Sequence, residues 1–210
     1  MYQPQIILSE NMKCNRSINL PIAGHCRPTS VCSVACYAKT GHCAMKHSTR
    51  KQAWVSDYLA GGQDPSLARL KRECQPLRAI RLSGTGDLNP GHLPGIINLA
   101  KSCPDTQFWG MTRKLEIAKY INEAGLPNLN ILVSVDASSP ESVWNYDGAL
   151  CFGPRRPDDQ VPADPRIITV FPNHFRGKVV AGMPHHPKDC RAVWHEIDGC
   201  MSCGQCWSWK

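Results

Sequence analysis

Short apolar runs alternate with amphipathic stretches along the middle of the chain. Five runs have the length and nearly continuous apolar character of buried strands, and they cover residues 77–84, 107–112, 130–136, 166–172 and 177–184. Apolar residues at helical spacing predict helices over 49–61, 65–74, 93–103, 113–125 and 138–146. Apolar strands that alternate with helices are typical of parallel sheets covered by helices. The pattern therefore predicts an α/β fold, either a partial (β/α) barrel or an open, mostly parallel sheet with helices.

Capping residues and composition refine this pattern at two places. Ser138 and Glu141 have the spacing of a capping box, which predicts that a helix begins at residue 138. Residues 151–165 are rich in proline and charged side chains, so we predict a long surface loop there.

We expect a single domain over residues 1–210 with three segments of different composition. Cysteines crowd an N-terminal segment over 1–48 and a C-terminal loop over 185–210, while the α/β scaffold occupies 49–184. The cysteine-rich ends are expected to fold against the scaffold and to carry the functional sites.

Composition and charge limit the cellular setting and the partners. Hydrophobic residues make up 42% of the chain, as in folded globular proteins. No apolar run reaches the about 18–20 residues that a membrane span requires, and the first residues lack the basic start of a signal peptide. We therefore expect a cytoplasmic protein with no membrane partner. The net charge of +7 is compatible with nucleic acid or an anionic ligand.

Twelve cysteines are the main chemical signal of the sequence. Without an export signal, this number favours metal or cluster ligation over a disulfide framework. Cys200, Cys203 and Cys206 form a Cys-x2-Cys-x2-Cys loop, and Cys190 lies upstream of it. Three thiolates on one tight loop favour an iron–sulfur cluster, because zinc sites more often use two separated pairs of cysteines.

A second set of cysteines lies near the N-terminus, at Cys26, Cys32, Cys36 and Cys43. Four thiolates would complete a cluster, whereas three would leave one iron open to a ligand. Two cubane clusters of four cysteines each, or one cluster shared by both ends, are both compatible with this count. Cys14 is a spare candidate, and we expect the remaining three cysteines, Cys74, Cys103 and Cys151, to be buried in the scaffold.

The stretch CSVACYAK over 32–39 follows the Cys-x3-Cys-aromatic pattern of enzymes that cleave S-adenosylmethionine at an iron–sulfur cluster. Lys39 stands where those enzymes have a third cysteine, so Cys26 or Cys43 would have to replace it. His25 and His42 are secondary candidates as ligands, and their presence keeps zinc open as an alternative.

Polar residues follow the predicted strands at positions where parallel α/β folds bind ligands. Asp87 and Asp136 are candidates for a catalytic base or for binding a hydroxyl group, and Arg113 for holding a carboxylate or phosphate. The same residues also suit helix caps and turns.

Four motifs, in order, resemble those of the phage "gene product eighty-eight" domain proteins. They are NLPIAGHCRPTSVCSVACYA (19–38), RAIRLSGTGDL (78–88), FWGMTR (108–113) and CMSCGQCW (200–207). The second motif carries Thr85 and Gly86 as an insertion. The resemblance implies a phage or mobile-element origin, iron–sulfur binding and a sheet similar to that of radical S-adenosylmethionine enzymes, without specifying a reaction.

The leading hypothesis is an iron–sulfur protein with one or two [4Fe–4S] clusters on a radical-enzyme-like scaffold. An open iron would make it an enzyme that acts on a small molecule or uses S-adenosylmethionine, and a fully ligated cluster would serve an electron-transfer partner or stabilise the fold. The competing hypothesis is a nucleic-acid-binding module stabilised by zinc.

Overall fold

A computed structural model describes residues 2–11, 14–61, 67–172, 174–175, 178–179, 182–191 and 199–206. A seven-stranded sheet forms its centre, and its strands lie side by side in the order in which they occur along the chain. The strands are β1 (Ser9–Asn11), β2 (Asn15–Ser17), β3 (Ala79–Leu82), β4 (Gln107–Thr112), β5 (Leu129–Val135), β6 (Leu150–Arg155) and β7 (Ile167–Pro172). Two further strands, β8 (His174–Phe175) and β9 (Lys178–Val179), form a separate antiparallel pair.

The sheet is parallel from β2 to β7, and only β1 runs antiparallel to its neighbour. Because the strands keep their sequence order, every crossover steps in the same direction across the sheet. Right-handed crossovers of this kind place their connecting helices on one face. The helices are α1 (Ser30–Val34), α2 (Lys46–Ala60), α3 (Ala68–Cys74), α4 (Leu93–Ser102), α5 (Leu115–Glu123), α6 (Glu141–Trp144) and α7 (Cys200–Cys203).

The two faces of the sheet are covered by different parts of the chain. Alternate strand residues such as Ile80 and Phe108 belong to the main apolar core, which also contains residues of α2 to α5. The intervening residues, such as Trp109, belong to smaller clusters against which Cys200 and Cys206 pack. The period of two along each strand therefore separates a face covered by helices from a face covered by the C-terminal cysteines.

The α/β class and the mostly parallel sheet are confirmed. Among the described strands, β1 and β7 are the two edges of the sheet, so the pairing does not close a barrel. None of the helices in the described part of the chain is long and apolar enough to cross a membrane.

The prediction of a surface loop over 151–165 is wrong in its first part. Residues 150–155 form β6, a buried inner strand between β5 and β7. Pro154 is tolerated because the register with β7 shifts between Phe152 and Arg155, where a missing backbone N–H does least harm. Proline and charge concealed the apolar start of this strand in the sequence.

Two further predictions need correction. The helix expected from residue 138 begins at Glu141 and is a single turn, with Pro140 as its N-cap. The Ser138 hydroxyl does not cap this helix, because it donates to Asp136 Oδ1 at 2.8 Å. The strand expected over 177–184 is described only in part, and its described strand residues form β9, which pairs with β8 outside the main sheet.

Candidate cysteine sites

All twelve cysteines lie within the described part of the chain, and none of them is in a disulfide. The eight candidate ligands form two groups along the chain, and the candidate thiols that influence one another's pKa belong to the same group. The N-terminal group is Cys26, Cys32, Cys36 and Cys43, and the C-terminal group is Cys190, Cys200, Cys203 and Cys206. Cys74, Cys103 and Cys151 are at most 3% exposed, as expected for scaffold residues.

The N-terminal group lies on a series of short turns. Cys26 closes a helical turn in which its N–H donates to Ile22 O at 3.0 Å. Cys32 lies inside α1, and Cys36 follows that helix and begins the next turn. The Thr29 side chain caps α1 by accepting from Cys32 N at 3.1 Å. The caps thus fix the backbone of the cysteine segment locally.

The same threonine ties this segment to the sheet. Its hydroxyl donates to Asp136 Oδ2 at 2.5 Å, just beyond the carboxyl end of β5. Arg113 Nη2 lies 3.0 Å from the same oxygen, and Ser138 donates to Asp136 Oδ1 through its backbone N–H at 2.9 Å. Asp136 is completely buried, so every one of these contacts is shielded from water. The carboxylate therefore holds α1 against the carboxyl ends of the strands.

Asp87 and Lys114 form the part of this site nearest Cys26. Burial, the Asp87 carboxylate and the thiols of Cys36 and Cys32 raise the pKa of Cys26 to about 12. Burial also raises the pKa of Asp87, although its Oδ2 accepts from Arg113 N at 3.2 Å.

The Lys114 side chain interacts electrostatically with Asp87 in this part of the site. Burial lowers the pKa of Lys114, while Asp87 opposes that shift. Its Nζ donates to Leu88 O at 2.6 Å and also to Asn89 Oδ1. The site thus combines neighbouring thiols with one buried acid and one buried cation.

Cys43 is a neighbour of Cys36 within the N-terminal group. Burial raises its pKa, and Cys36 is the thiol that adds to this shift. Lys39, at the position expected for a third ligand, folds back so that Nζ donates to Ser33 O at 3.1 Å. Cys43 and Cys36 both act electrostatically on Tyr37, whose hydroxyl donates to Gly84 O, two residues beyond β3.

His25, Ser56 and His92 form a hydrogen-bonded chain that ends beside Cys26. His92 Nδ1 accepts from Asn89 N at 3.1 Å, so the proton of the neutral ring lies on Nε2 and is donated to Ser56 Oγ at 2.9 Å. The Ser56 hydroxyl then donates to His25 Nε2 at 2.9 Å. This chain engages both nitrogens of His92 and the Nε2 of His25, the residue next to Cys26.

The C-terminal group is attached to the edge strand β7 and to the face of the sheet opposite the helices. Cys190 N donates to Val170 O at 2.7 Å, and Asp189 forms a parallel bridge with Val170 of β7. Asp189 Oδ2 lies 3.3 Å from Arg155 Nη2, and this ion pair is buried on both sides. Gln205 Nε2 donates to Ile168 O at 2.6 Å and fixes the loop that follows α7.

Two of the C-terminal thiols, Cys200 and Cys206, interact electrostatically with Arg81 on this face. Burial and Cys14 raise the pKa of Cys200 to about 12, and burial and Cys190 raise that of Cys206. Arg81 offsets both shifts through its positive charge. Its guanidinium lies 5.5 Å from the centre of the Trp109 ring, in cation–π geometry.

Among the described residues, no three His, Cys, Asp or Glu side chains are placed so that they could close around one metal ion. The thiols within each group are neighbours without being at ligand distance from a common centre.

The sequence placed Asp87, Arg113 and Asp136 at the ends of strands, and the structure brings the three together through Arg113. It missed Thr29, Lys114 and Arg81. A usable signal existed for Arg81, because a charged residue inside the apolar strand AIRL is unusual. No local signal marked Thr29, since its partner Asp136 is 107 residues away.

Comparison with known proteins identifies the family. The model of the family described as Gene product 88 matches residues 5–208, so the chain belongs to this phage family and the resemblance of its four motifs is confirmed. No curated protein matches the chain, and no solved structure does.

Proposed function

We propose that this protein is an iron–sulfur protein with two cysteine sites, of which the N-terminal one is catalytic. The observation that carries the proposal is the grouping of Cys26, Cys32 and Cys36 beside Asp87, at the carboxyl ends of parallel strands. Ligands of parallel α/β folds bind at these ends. The second site, with Cys190, Cys200, Cys203 and Cys206, would hold a fully ligated cluster.

The donor set fits a metal–sulfur group chemically. Burial disfavours a lone thiolate at Cys26, whose pKa is about 12, and a bound metal cation removes that penalty by stabilising the charged sulfur. Cys26, Cys32 and Cys36 would hold the N-terminal cluster, while Cys43, which neighbours Cys36, is the fourth thiol available. When bound, such a cluster supplies an open iron for S-adenosylmethionine or for another small molecule, and a fully ligated one supplies electrons.

The surrounding residues would then orient a substrate. Asp87 is an acid that acts electrostatically on Cys26, and its raised pKa suits it to exchange a proton with a bound hydroxyl or amine. Asp87 in turn favours the charged form of the neighbouring Lys114 ammonium group. Arg113 and Asp136 are positioning residues, because their ion pair holds the cysteine helix in place.

Anaerobic purification followed by iron and sulfide analysis tests the proposal. We expect a brown protein with iron and acid-labile sulfide in equal amounts, and a spectrum that changes when S-adenosylmethionine binds to an open iron. A control with Cys26→Ala and Cys32→Ala together should lose about half of the iron, as one of two cubane clusters disappears.

A colourless protein with full zinc occupancy would contradict the proposal, since zinc is d10 and its thiolate sites do not absorb visible light. That outcome would favour the alternative, a zinc-stabilised nucleic-acid-binding module. Its signature would be binding to nucleic acid that weakens steeply with added salt.

A further inference from the structure

The excess positive charge of the chain is concentrated in one stretch near the N-terminus. Residues 11–56 contain seven Lys and Arg residues and no Asp or Glu. The other 17 Lys and Arg residues are balanced by the 17 Asp and Glu residues, so this stretch accounts for the whole net charge of +7. A local excess of this kind favours a negatively charged partner at this part of the molecule.

The structure folds residues 30–52 of this stretch into one unit, which we call the basic unit. It consists of α1, two short turns over 37–39 and 41–44, and the first half of α2. Lys39 Nζ donates to Ser33 O at 3.1 Å and joins the first turn to α1. Gln52 Nε2 donates to Cys43 O at 3.1 Å and joins α2 to the second turn. The exposed side chains of these elements therefore belong to the same folded unit as three of the N-terminal cysteines.

Three cations of the basic unit are exposed, namely Lys39, Lys46 and Arg50. Within the described part of the chain, none of them forms an ion pair with Asp or Glu. Lys46 and Arg50 are like charges four residues apart in α2, and this spacing destabilises a helix. Lys46 also lies at the positive end of the helix dipole, in a first turn without an acid. Helix stability therefore does not explain these cations, whereas an anionic partner does.

Planar and apolar side chains are exposed among these cations. Val34 is 90% exposed, and Tyr37 and Met45 are about half exposed. The rings of His42 and His47 are also exposed, with their centres 5.0 Å apart. A single-stranded nucleic acid matches both features, because its phosphates pair with cations and its bases stack on planar side chains.

The same composition fits a membrane or a nucleic-acid duplex less well. The exposed apolar side chains are single residues separated by polar ones, without the Trp, Phe and Leu of membrane-surface helices. Reading a duplex groove requires a helix or a two-stranded ribbon that carries the contacts. The cations are instead divided between the turn over 37–39 and the start of α2.

We propose that the basic unit binds single-stranded nucleic acid, with Lys39, Lys46 and Arg50 on the phosphates and the exposed rings as a surface for the bases. This binding requires no metal. Because the unit also carries three of the N-terminal cysteines, the bound strand would lie beside the N-terminal cysteine site. Only a role for that strand as the substrate of the site rests on the proposed function.

Fluorescence anisotropy with labelled oligothymidylate and oligouridylate of about 20 nucleotides tests the proposal on the full chain, purified without oxygen. We expect a dissociation constant of about 1–100 µM near physiological salt. Between about 50 mM and about 200 mM salt the affinity should fall about 20-fold, because contacts to three phosphates of a single strand give a logarithmic slope of about −2. No binding at the lower salt concentration would overturn the proposal.

Two triple variants with the same net charge test whether the basic unit carries the binding. One combines Lys39→Gln, Lys46→Gln and Arg50→Gln, and it should bind at least about tenfold more weakly at the lower salt concentration. The matched control removes three exposed cations of α3, α4 and α5 and should change the affinity less than about threefold. It combines Arg72→Gln, Lys101→Gln and Lys119→Gln. Equal affinities of the two variants would contradict the proposal.

Position 34 gives a test that does not depend on folding, because the Val34 side chain is almost fully exposed. Val34→Lys should strengthen binding and Val34→Glu should weaken it, each by about two- to fivefold. Tyr120→Lys and Tyr120→Glu, at a half-exposed position of α5 outside the basic unit, are the matched controls and should leave the affinity unchanged. If both changes at Val34 weaken binding equally, an apolar contact and not a phosphate lies there, and the proposal fails.

Competition experiments identify the class of partner. Polyglutamate should displace the labelled strand at least about fivefold less effectively than an unlabelled strand of equal charge, because it has no bases to stack. Vesicles rich in phosphatidylglycerol should not displace it, and a duplex of the same length should bind more weakly than the single strand. Equal competition by polyglutamate would indicate an acidic protein, and displacement by vesicles would indicate a membrane. Either result, or a duplex bound as tightly as the single strand, would overturn the proposal.

Metal content separates a failure of this proposal from a failure of the proposed function. An iron–sulfur protein that binds no oligonucleotide would refute the nucleic-acid surface and leave the proposed function intact. A colourless zinc protein that binds the single strand through the basic unit would refute the proposed function and retain the surface.

Discussion

The hydroxyl of Thr29 donates a hydrogen bond to Asp136 Oδ2 at 2.5 Å across 107 residues of sequence. Thr29 caps the helix that carries Cys32, and Asp136 follows the buried strand β5. Because Asp136 also pairs with Arg113, one carboxylate connects the cysteine helix to the strand ends. This relationship sets where the N-terminal cysteines lie on the sheet.

Thr29→Val should lower the free energy of unfolding by about 1–3 kcal/mol, since it removes a helix cap and a hydrogen bond to a charged acceptor. Urea unfolding measures this change, and Thr29→Ser, which keeps the hydroxyl, is the matched control. In a double-mutant cycle with Asp136→Asn, the two changes should couple by about 0.5–3 kcal/mol. Additive changes would show that the contact does not stabilise the fold.

His92 should make the protein less stable in mild acid. Burial, His25 and Lys114 lower its pKa from 6.5 to about 4. Between these values the unfolded chain binds a proton that the folded protein excludes, so stability is present above about pH 6.5 and is lost as the pH falls towards 4. Between about pH 7 and about pH 5 this amounts to about 1–2 kcal/mol. Urea unfolding at the two pH values should show a smaller difference for His92→Gln, and an equal difference would contradict the prediction.

Gly86→Ala should be strongly destabilising, whereas Gly91→Ala should not. Gly86 has φ +70°, and a Cβ there would overlap the backbone carbonyls of Leu20 and Pro21, on the segment that leads to the cysteines. At Gly91 a Cβ would make only an ordinary contact with Ala60, at 3.8 Å. We expect a loss of about 2–4 kcal/mol for Gly86→Ala, measured by thermal or urea unfolding. Similar stability of the two variants would show that the backbone of Leu20 and Pro21 does not lie close to Gly86.

Two adjacent arginines should behave differently when replaced by methionine. Arg155→Met leaves the carboxylate of Asp189 buried without its cation and should cost about 3–5 kcal/mol. Arg156→Met removes an ion pair whose guanidinium is 55% exposed, and Asp159 keeps its hydrogen bond from the backbone N–H of residue 156, so this variant should cost no more than about 1 kcal/mol.

Limited trypsin digestion provides the second measurement for this pair. The segment around Cys190 is attached to β7 by backbone pairing with Val170 and by the ion pair of Asp189 with Arg155. Without the ion pair the segment should detach more often from β7, and trypsin should then cleave after Lys188 and Arg191. The expected fragments should appear with Arg155→Met and not with Arg156→Met. Identical digestion patterns would argue that backbone pairing alone holds this segment.

Most of the scaffold could be read from the chain, because its information is local. The strand over 107–112 has the bounds that its apolar run predicts, and the helix before Gly125 ends where its glycine, at φ +65°, terminates it. Strand β6 could not be recognised, since Pro154 and Arg155 are acceptable only at the register shift beside β7. That shift is a property of the pair of strands and not of either sequence.

The candidate sites divide in the same way. Spacing along the chain predicted the eight terminal cysteines and the three polar residues at the strand ends as candidates. It could not reveal that Lys39 folds back on Ser33 or that Cys36 is the thiol that raises the pKa of Cys43. Nor could it reveal that Cys200 packs against the apolar cluster that contains Cys14.

The sequence by itself determined the α/β class and most of the helix and strand segments of the scaffold, because apolar periodicity acts over a few residues. Only the tertiary structure decided which thiols are neighbours and which charges accompany them. The reason is that Asp136, Arg81 and Asp189 act through partners brought near by the parallel sheet, where residues far apart in the chain meet at a strand end or on one face. The grouping of Cys14 with the C-terminal cysteines is a consequence of that sheet order, with β2 paired to β3.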